Sequence, residues 1–385
     1  MTRCLKLFAC LTTTLCAGAA LAQTGDEPET TSSPVAYVYV SRPTHIDAFA
    51  ASTTGKLTAV PGSPISGSVS SMSVNGEFLF GAGDNGKDIY SFSIGSNGAL
   101  KQVSETNAQK YNPLGCGSIG PVQIDDTGTT LYNQVTADCE DSAFIQAFKI
   151  EDKGELQFLG NATGGIPSDI ATLYPLIFLG TNKYAYQTGC ADDDGLLDTV
   201  NEVYKRESNG MLTIGDFDNV SPKTKNPDDL YCPWGFATDP TDHLAYAFQD
   251  FSSYSGEFVG PIVLGTYTAD SHGILTTKSA YENMPATDLA SISAISISPS
   301  GKLLAVGGPG FQVFHFNGSS PITHYTGQLQ AGYGFQQFGW DGDNHPVCTG
   351  RRKVVRVYGY AHKHQGGLRL SLLDPGSIEC DCSVA

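Results

Sequence analysis

Short runs of alternating hydrophobic and polar residues cover most of the chain, and one pattern among them recurs. It consists of an aromatic residue, five residues of any kind, glycine, one further residue and leucine, as in IYSFSIGSNGAL. Alternation with a period of two predicts strands, and a glycine in the polar break predicts a tight hairpin turn. The glycines of the five copies are Gly55, Gly98, Gly154, Gly210 and Gly273. The chain is therefore expected to repeat one β-hairpin unit.

A second pattern lies between these copies and consists of an apolar strand, a polar turn and another apolar strand. Its six copies are SSMSVNGEFLFGAG, PVQIDDTGTTLYNQV, YPLIFLGTNKYAYQTG, PWGFATDPTDHLAYAFQ, ISAISISPSGKLLAVGG and GFQQFGWDGDNH. The two patterns together predict four strands in each repeat of about 50 residues, as in a blade of a β-propeller. Six complete units and an N-terminal unit without its inner strand predict an all-β, seven-bladed propeller whose last blade and ring closure are damaged.

The damage is inferred from the end of the chain, where the pattern breaks after Pro346. Residues 346–385 contain clustered basic residues, paired histidines and Cys-x-Cys in place of alternating strands. When the codons are read one base out of frame, they permit the strand-like text HLYALGAGKLYVYTVT and, later, the apolar strand that the first blade lacks. We interpret 346–385 as an aberrant, frameshifted tail, whether by sequencing error or in the gene. It should form no regular blade strands, and the strand near Phe335–Trp340 should lose its partners.

The beginning of the chain predicts export. Residues 1–22 combine a basic start, an apolar stretch and a small-residue cleavage signal, which together are typical of a signal peptide. Residues 23–34 are polar and predict a disordered lead-in, so the propeller is expected to span residues 35–345. No other apolar run is long enough to span a membrane, and we expect a secreted or periplasmic protein.

Composition agrees with this prediction and excludes one class of partner. Hydrophobic residues make up 40% of the chain, charged residues only 16%, and there are 44 glycines, which suits an all-β protein with many turns. The formal net charge of −17 argues against binding to nucleic acid.

Four cysteines remain when the signal peptide and the suspect tail are set aside. Cys116 and Cys232 precede inner strands, whereas Cys139 and Cys190 follow second strands, and both kinds of loop emerge on the same face of a propeller. Export favours disulfides. The predicted pairs are Cys116 with Cys139 within one blade and Cys190 with Cys232 across neighbouring blades.

Three stretches, SISPSGKLLAVGG, YSFSIGSNGAL and AVPGSP, resemble the lactonase-type seven-bladed propellers that include 6-phosphogluconolactonase-like proteins. This resemblance covers about residues 35–345 and implies the propeller fold and lactone hydrolysis. Enzymes of that family typically carry Pro-His at the start of an inner strand. The equivalent positions here read Pro121-Val122 and Pro233-Trp234, so the implied catalytic histidine is missing.

Candidate binding residues follow from the place where propellers usually hold ligands, over the central channel at the start of the inner strands. Tyr231, Trp234, Gln336 and Gln337 fall there, and aromatic plus amide side chains suit sugars or other neutral polar ligands. Trp234 could instead simply fill the interface between blades.

A metal site is only weakly indicated. Asp192, Asp194 and Asp198 form an acidic segment that could hold calcium, but the order of ligands does not match an EF-hand, and a solvated turn explains it equally well. We expect no cofactor and no resident metal.

Two functions remain open at this point. The first is an exported binding or scaffold module whose partner is a neutral polar small molecule, a sugar or another envelope protein. The second is a lactone hydrolase or isomerase, which rests on family resemblance alone. The sequence leaves open whether the protein is an enzyme.

Overall fold

Antiparallel sheets follow one another along the chain, each made mainly of strands that are consecutive in sequence. The computed structural model describes residues 33–34, 36–52, 56–137, 142–163, 170–173, 175–193, 196–215, 220–341, 345–350, 354–356, 358–360 and 367–369. The strands belong to one unit, Pro34–Ala385. An all-β propeller of four-stranded blades is confirmed.

The first three sheets each contain four strands. The first holds β1 (Ala36–Ser41), β2 (His45–Ala51), β3 (Leu57–Ala59) and β4 (Ile65–Ser66), in which β3 and β4 both pair with β2. The second holds β5 (Val69–Val74), β6 (Phe78–Gly83), β7 (Asp88–Ile94) and β8 (Leu100–Asn107). A short 3₁₀ helix, Ala108–Tyr111, precedes the third sheet. That sheet holds β9 (Ser118–Ile124), β10 (Thr130–Ala137), β11 (Ser142–Ile150) and β12 (Leu156–Thr163).

The fourth sheet holds β13 (Ile170–Leu173), β14 (Ile177–Phe178), β15 (Tyr184–Asp193), β16 (Leu196–Arg206) and β17 (Leu212–Ile214). The fifth holds β18 (Leu230–Thr238), β19 (His243–Ser252), β20 (Glu257–Ala269) and β21 (Leu275–Thr277). The sixth holds β22 (Ala294–Ile297), β23 (Leu303–Asn317), β24 (Ser320–His324), β25 (Leu329–Asp341), β26 (His345–Gly350) and β27 (Val354–Arg356). A separate pair joins β28 (Tyr358–Tyr360) to β29 (Gly367–Arg369).

The structure has six blades, so the prediction of seven is wrong. The segment GFQQFGWDGDNH was expected to begin a seventh blade. It belongs instead to the 13-residue strand β25, whose first part pairs with β23 through Phe311 opposite Leu329 and Pro309 opposite Gly334. Because β25 is hydrogen-bonded to β23, its residues extend the sixth sheet and start no new one.

The predicted consequences of a frameshift are also wrong where the structure describes them, and the frameshift itself is not supported. Residues 345–350 form β26, which pairs with β25 from Asp341 opposite His345 to Phe335 opposite Gly350. Phe335–Trp340 therefore keeps partners. Backbone pairing joins β25 and β26 even though hydrophobic and polar residues do not alternate regularly in the sequence of this segment.

The first strands of neighbouring sheets lie side by side at the centre of the fold. β5 contacts β9, and β18 contacts β22. Backbone amides of Val122 and Ile124 each donate to a serine hydroxyl of β5, Ser71 and Ser73, at 3.2 Å. These inter-sheet bonds satisfy backbone donors that a simple stack of sheets would leave unpaired.

The glycine of the recurrent pattern does more than form a turn. Gly273 has a φ of +83°, and a Cβ at this position would lie 2.5 Å from the ring of Tyr184 in the preceding blade. Its carbonyl accepts a 2.8 Å hydrogen bond from the hydroxyl of Tyr186. Gly210 is bonded in the same way to Tyr132, at 2.6 Å. The copies of this glycine that the structure describes therefore also allow close packing between blades, which explains their recurrence.

The expectations for the N-terminal segments fall mostly outside the described residues, since residues 1–32 are not among them. Within the part of the chain that is described, no helix has the length and apolar character needed to cross a membrane.

Candidate functional site

Four consecutive blades bring the turns between their first two strands together at one end of the central strands. Polar side chains hold these turns by accepting hydrogen bonds from backbone amides, as short polar residues commonly do. The Asp125 carboxylate accepts from Thr129 and Thr130, the Asp239 carboxylate from Thr241 and His243, and the Ser298 hydroxyl from Lys302 and Leu303. The polar turn of the second sequence pattern therefore has a structural role in these three blades.

These turns line an open pocket of about 380 Å³, a volume in the range of small-molecule sites. We call it the turn pocket. Its lining residues are Asp126, Phe178, Gly180, Thr238, Asp239, Pro240, Ile297, Ser298 and Pro299. Phe178, Asp239, Ile297 and Ser298 are buried, whereas Asp126, Gly180, Pro240 and Pro299 are exposed. The pocket thus has a floor of both apolar and polar side chains and a rim that carries one carboxyl group.

The carboxyl group on the rim differs from the buried one beside it. Both oxygens of Asp239 are bonded, since one accepts from the hydroxyl of Thr241 at 2.9 Å and lies 3.0 Å from Nδ1 of His243. The Asp126 carboxyl makes no hydrogen bond within the described part of the chain. Its pKa is raised, first by desolvation and then by the negative charge of Asp125. Asp126 is therefore a lining group whose acceptor capacity remains for a ligand.

The position of Asp126 is fixed through its neighbours. Its backbone amide donates to Oδ1 of Asn182 at 3.0 Å, and Nδ2 of Asn182 lies 3.4 Å from the Asp125 carboxylate. Asp125 is buried and forms an ion pair with Arg206. These contacts link the third and fourth blades directly beneath the pocket rim.

Close backbone packing holds the opposite wall. A Cβ on Gly180 would lie 1.8 Å from the carbonyl oxygen of Pro240, so the turns of the fourth and fifth blades touch through their backbones. A side chain at residue 180 would force them apart. The shape of the turn pocket therefore depends on this glycine.

The residues predicted to bind ligand lie toward the other end of the same strands, and the structure does not bring Tyr231 and Trp234 together. Tyr231 is buried between the fourth and fifth blades beside Phe248, with ring centroids 5.9 Å apart. Desolvation, followed by the charges of Asp250 and Glu282, raises its pKa to about 12. A tyrosine buried in this way is part of a blade interface.

Trp234 is half-buried and packs between the fifth and sixth blades. It contacts Phe258 edge to face, with ring centroids 5.6 Å apart. Its Nε1 is buried and has no hydrogen-bond partner in the described part of the chain. The alternative that Trp234 fills a blade interface agrees better with these contacts than a ligand platform does. The side chains of Gln336 and Gln337 lie outside the described residues.

The other predicted sites are described only in part. Cys190 and Cys232 form a disulfide that joins the fourth and fifth blades, with Cα atoms 5.4 Å apart. Cys116 is disulfide-bonded, but its predicted partner Cys139 lies outside the described residues. Asp194 and the side chains of Asp192 and Asp198 lie outside them as well. Among the described residues, no group of three or more His, Cys, Asp or Glu could hold a metal ion.

Sequence reasoning missed the turn pocket because it placed ligands at the start of the inner strands. The signal was present in the second pattern, whose polar turns read IDDTG, TDPTD and SPSG. In IDDTG, Asp125 accepts hydrogen bonds within the turn, and Asp126 remains free to accept from a ligand. Only the ring arrangement shows that these turns meet.

Comparisons with known proteins support the fold. No protein-family model matches the chain, and no curated protein is significantly similar to it. A solved structure of a candidate 6-phosphogluconolactonase from Bacteroides fragilis NCTC 9343 is 18% identical, with a TM-score of 0.52 over 77% of this chain and 81% of that one. The periplasmic gluconolactonase of Pseudomonas aeruginosa is 16% identical, with a TM-score of 0.50 over 75% and 78%.

A further structure comes from a protein of unknown function from Desulfotomaculum acetoxidans DSM 771. It is 13% identical and has a TM-score of 0.56 over 84% of this chain and 91% of that one. At such identities the likeness concerns the fold alone. The chain is thus a β-propeller whose structural neighbours include 6-phosphogluconolactonase-like proteins at low sequence identity.

Proposed function

We propose that this protein is an exported binding module that holds a neutral polar small molecule, such as a sugar, in the turn pocket. The observation that carries this proposal is an open pocket of about 380 Å³ lined by turns of four blades, with one unbonded carboxyl group at the rim. The exposed rings of Pro240 and Pro299 offer apolar surface to the C–H face of a sugar. The Asp126 carboxyl can accept hydrogen bonds from its hydroxyl groups.

Charge favours a neutral ligand over an anionic one. Asp126 and Asp239 both line the pocket, and the protein carries a formal net charge of −17. A ligand carboxylate would be repelled by the rim and would lose its own solvation on entry.

Export is part of the proposal and is supported by two findings. The Cys190–Cys232 disulfide is typical of proteins from oxidising compartments, and one structural neighbour is periplasmic. A secreted or periplasmic location also gives access to neutral polar molecules and to other envelope proteins.

Isothermal titration calorimetry with two probes of similar size tests the function. Methyl glucopyranoside is the neutral probe, and gluconate is the anionic one. We expect saturable binding of the neutral probe only, and Asp126→Asn should weaken it by roughly 10-fold, because an amide keeps only part of the acceptor capacity. Gluconate binding that equals or exceeds glycoside binding would contradict the proposal.

The same preparation distinguishes the alternative function. Base consumption can be followed at constant pH after addition of D-glucono-1,5-lactone, with heat-denatured protein as the control. The binding proposal predicts the spontaneous rate of hydrolysis. Saturable acceleration that persists in Asp126→Asn would establish a lactone hydrolase whose site lies elsewhere.

A further inference from the structure

Three blades place a fully buried polar residue two positions before the aromatic residue of their outer hairpin. The aromatic residues are identified by their cross-strand partners, which lie ten positions later in each case: Phe148 with Phe158, Tyr204 with Ile214, and Phe314 with His324. The residues two positions earlier are Gln146, Glu202 and Gln312, with exposures of 0%, 1% and 0%. At this position the third and sixth blades thus carry an amide, whereas the fourth blade carries a carboxyl group.

Both glutamines use their amide nitrogen as a donor to a segment outside their own hairpin. Nε2 of Gln146 donates to the carbonyl of Ala108 at 3.1 Å. Nε2 of Gln312 donates to the carbonyl of Thr326 at 3.1 Å and to the Asp288 carboxylate at 3.0 Å. A buried side chain at this position is therefore used to donate, which an ionised carboxylate cannot do and a protonated carboxyl group can.

Glu202 is only half-satisfied in the structure. Its Oε2 accepts a hydrogen bond from the hydroxyl of Tyr204, and its buried Oε1 has no partner in the described part of the chain. Burial raises the pKa of the carboxyl group to about 7, against the smaller opposing effect of the Tyr204 hydroxyl. An isolated carboxylate with one open oxygen is costly to bury, so the folded chain favours the protonated form.

The described surroundings supply no cation to offset that charge directly. On its own strand, Tyr204 and Arg206 lie on the same face as Glu202 by alternation, and Arg206 is already paired with Asp125 of the third blade. The neighbouring strand β15 places the neutral Gln187 opposite Glu202. Across the interface, β10 contributes Tyr132, which packs in the same cluster as Tyr204. On the other side, β17 consists of Leu212–Ile214 and carries no ionisable residue.

We propose that Glu202 is a pH-sensitive structural element, protonated in the folded protein under acidic conditions, whose ionisation weakens the packing of the fourth blade against the third. The proposal concerns stability and does not rest on the proposed function. Because the residue lies between two blades, the loosened segment would be the one that carries Tyr132, Tyr204 and the Asp125–Arg206 pair.

The direction of the effect follows from linkage. When a carboxyl group has a higher pKa in the folded state than in the unfolded chain, its protonation stabilises the fold. This contribution is complete below the unfolded pKa and is lost as the pH rises through the folded pKa. The pH window therefore runs from 4.5, the ordinary pKa of a glutamate side chain, to about 7. Across it, the unfolding equilibrium constant should rise on the order of 100-fold through Glu202 alone.

Urea unfolding of the full chain at about pH 5 and about pH 8 tests this, with Glu202→Gln as the variant. Glutamine has nearly the same shape and already occupies the equivalent positions of two blades. We expect the variant to match the wild type near pH 5 and to unfold with an equilibrium constant on the order of 100-fold smaller near pH 8. Glu207→Gln is the control, since Glu207 is an exposed acid whose pKa is lowered by Lys205 and Thr213.

Infrared spectroscopy reports the protonated group itself. The wild type should show a carboxylic acid carbonyl band near pH 5 that fades through neutral pH and is absent from Glu202→Gln. A stability difference between wild type and Glu202→Gln that is the same at both pH values would overturn the proposal. Failure of Glu202→Gln to fold would overturn it too, because the amide should replace the protonated carboxyl group.

Discussion

The two ends of the central strands differ in how they use side chains. Toward the start of β18, large aromatic residues are buried, with Tyr231 in one blade interface and Trp234 in the next. At the far end, small and polar turn residues meet without filling the space, which leaves the turn pocket. Aromatic residues at a channel therefore tend to close it when adjacent blades offer apolar faces. Turns whose polar groups are used locally can leave a cavity open.

The largest expected effect on stability concerns the aromatic end of the central strands, where Tyr231 and Trp234 lie. Trp234→Ala should lower the free energy of unfolding by about 3 kcal/mol, since it removes a ring that packs between two blades and contacts Phe258. Trp234→Phe is the matched control. It keeps a ring and removes an Nε1 that has no described partner, so it should cost less than about 1 kcal/mol. Chemical denaturation measures both. Equal costs would show that Trp234 does not act through packing.

Gly180→Ala tests the end that holds the turn pocket, because it should force apart the turns of the fourth and fifth blades. The added Cβ would meet the carbonyl of Pro240 at 1.8 Å, and a backbone atom cannot move aside as a flexible side chain can. We expect a loss of about 2 kcal/mol, together with weaker binding of methyl glucopyranoside. Gly327→Ala is the control, because a Cβ there meets nothing within 4 Å. It should change stability by less than about 0.5 kcal/mol. Comparable losses in the two variants would contradict the close packing of these turns.

Asp126→Asn should have the smallest effect on stability and should still weaken ligand binding. The pKa of Asp126 is raised, so the ionised side chain slightly destabilises the fold once the pH exceeds that of ordinary aspartate titration. The variant should therefore be as stable as the wild type near pH 3 and slightly more stable near pH 7. Thermal unfolding at the two pH values checks this. A marked loss of stability would mean that Asp126 holds its turn, as Asp125 does.

The sequence predicts the fold well where its periodicity is local. Recurrent glycines with an aromatic residue six positions earlier identify the outer hairpins, because both the turn conformation and the packing of the preceding blade require glycine there. The number of blades could not be predicted, because it depends on whether β25 pairs with β23. That pairing involves strands whose own alternation permits either arrangement, so long-range hydrogen bonding decides it.

The candidate site was harder to predict than the fold. An aromatic residue near the channel looks the same in the sequence whether it binds a ligand or packs in a blade interface, as Tyr231 and Trp234 show. The role of Glu202 could not be inferred from its strand alone, since burial from the neighbouring blade raises its pKa. By contrast, the Cys190–Cys232 disulfide follows from simple placement of loops on a shared face.

The central claim is that a ligand enters at the turn end of the channel and not at the aromatic end. The most direct test is a crystal structure of the wild-type chain soaked with methyl glucopyranoside. We expect the sugar in the turn pocket, with a hydroxyl group bonded to the Asp126 carboxyl and a C–H face against Pro240 or Pro299. Sugar bound beside Tyr231 and Trp234, or a turn pocket that stays empty at saturating glycoside, would contradict it.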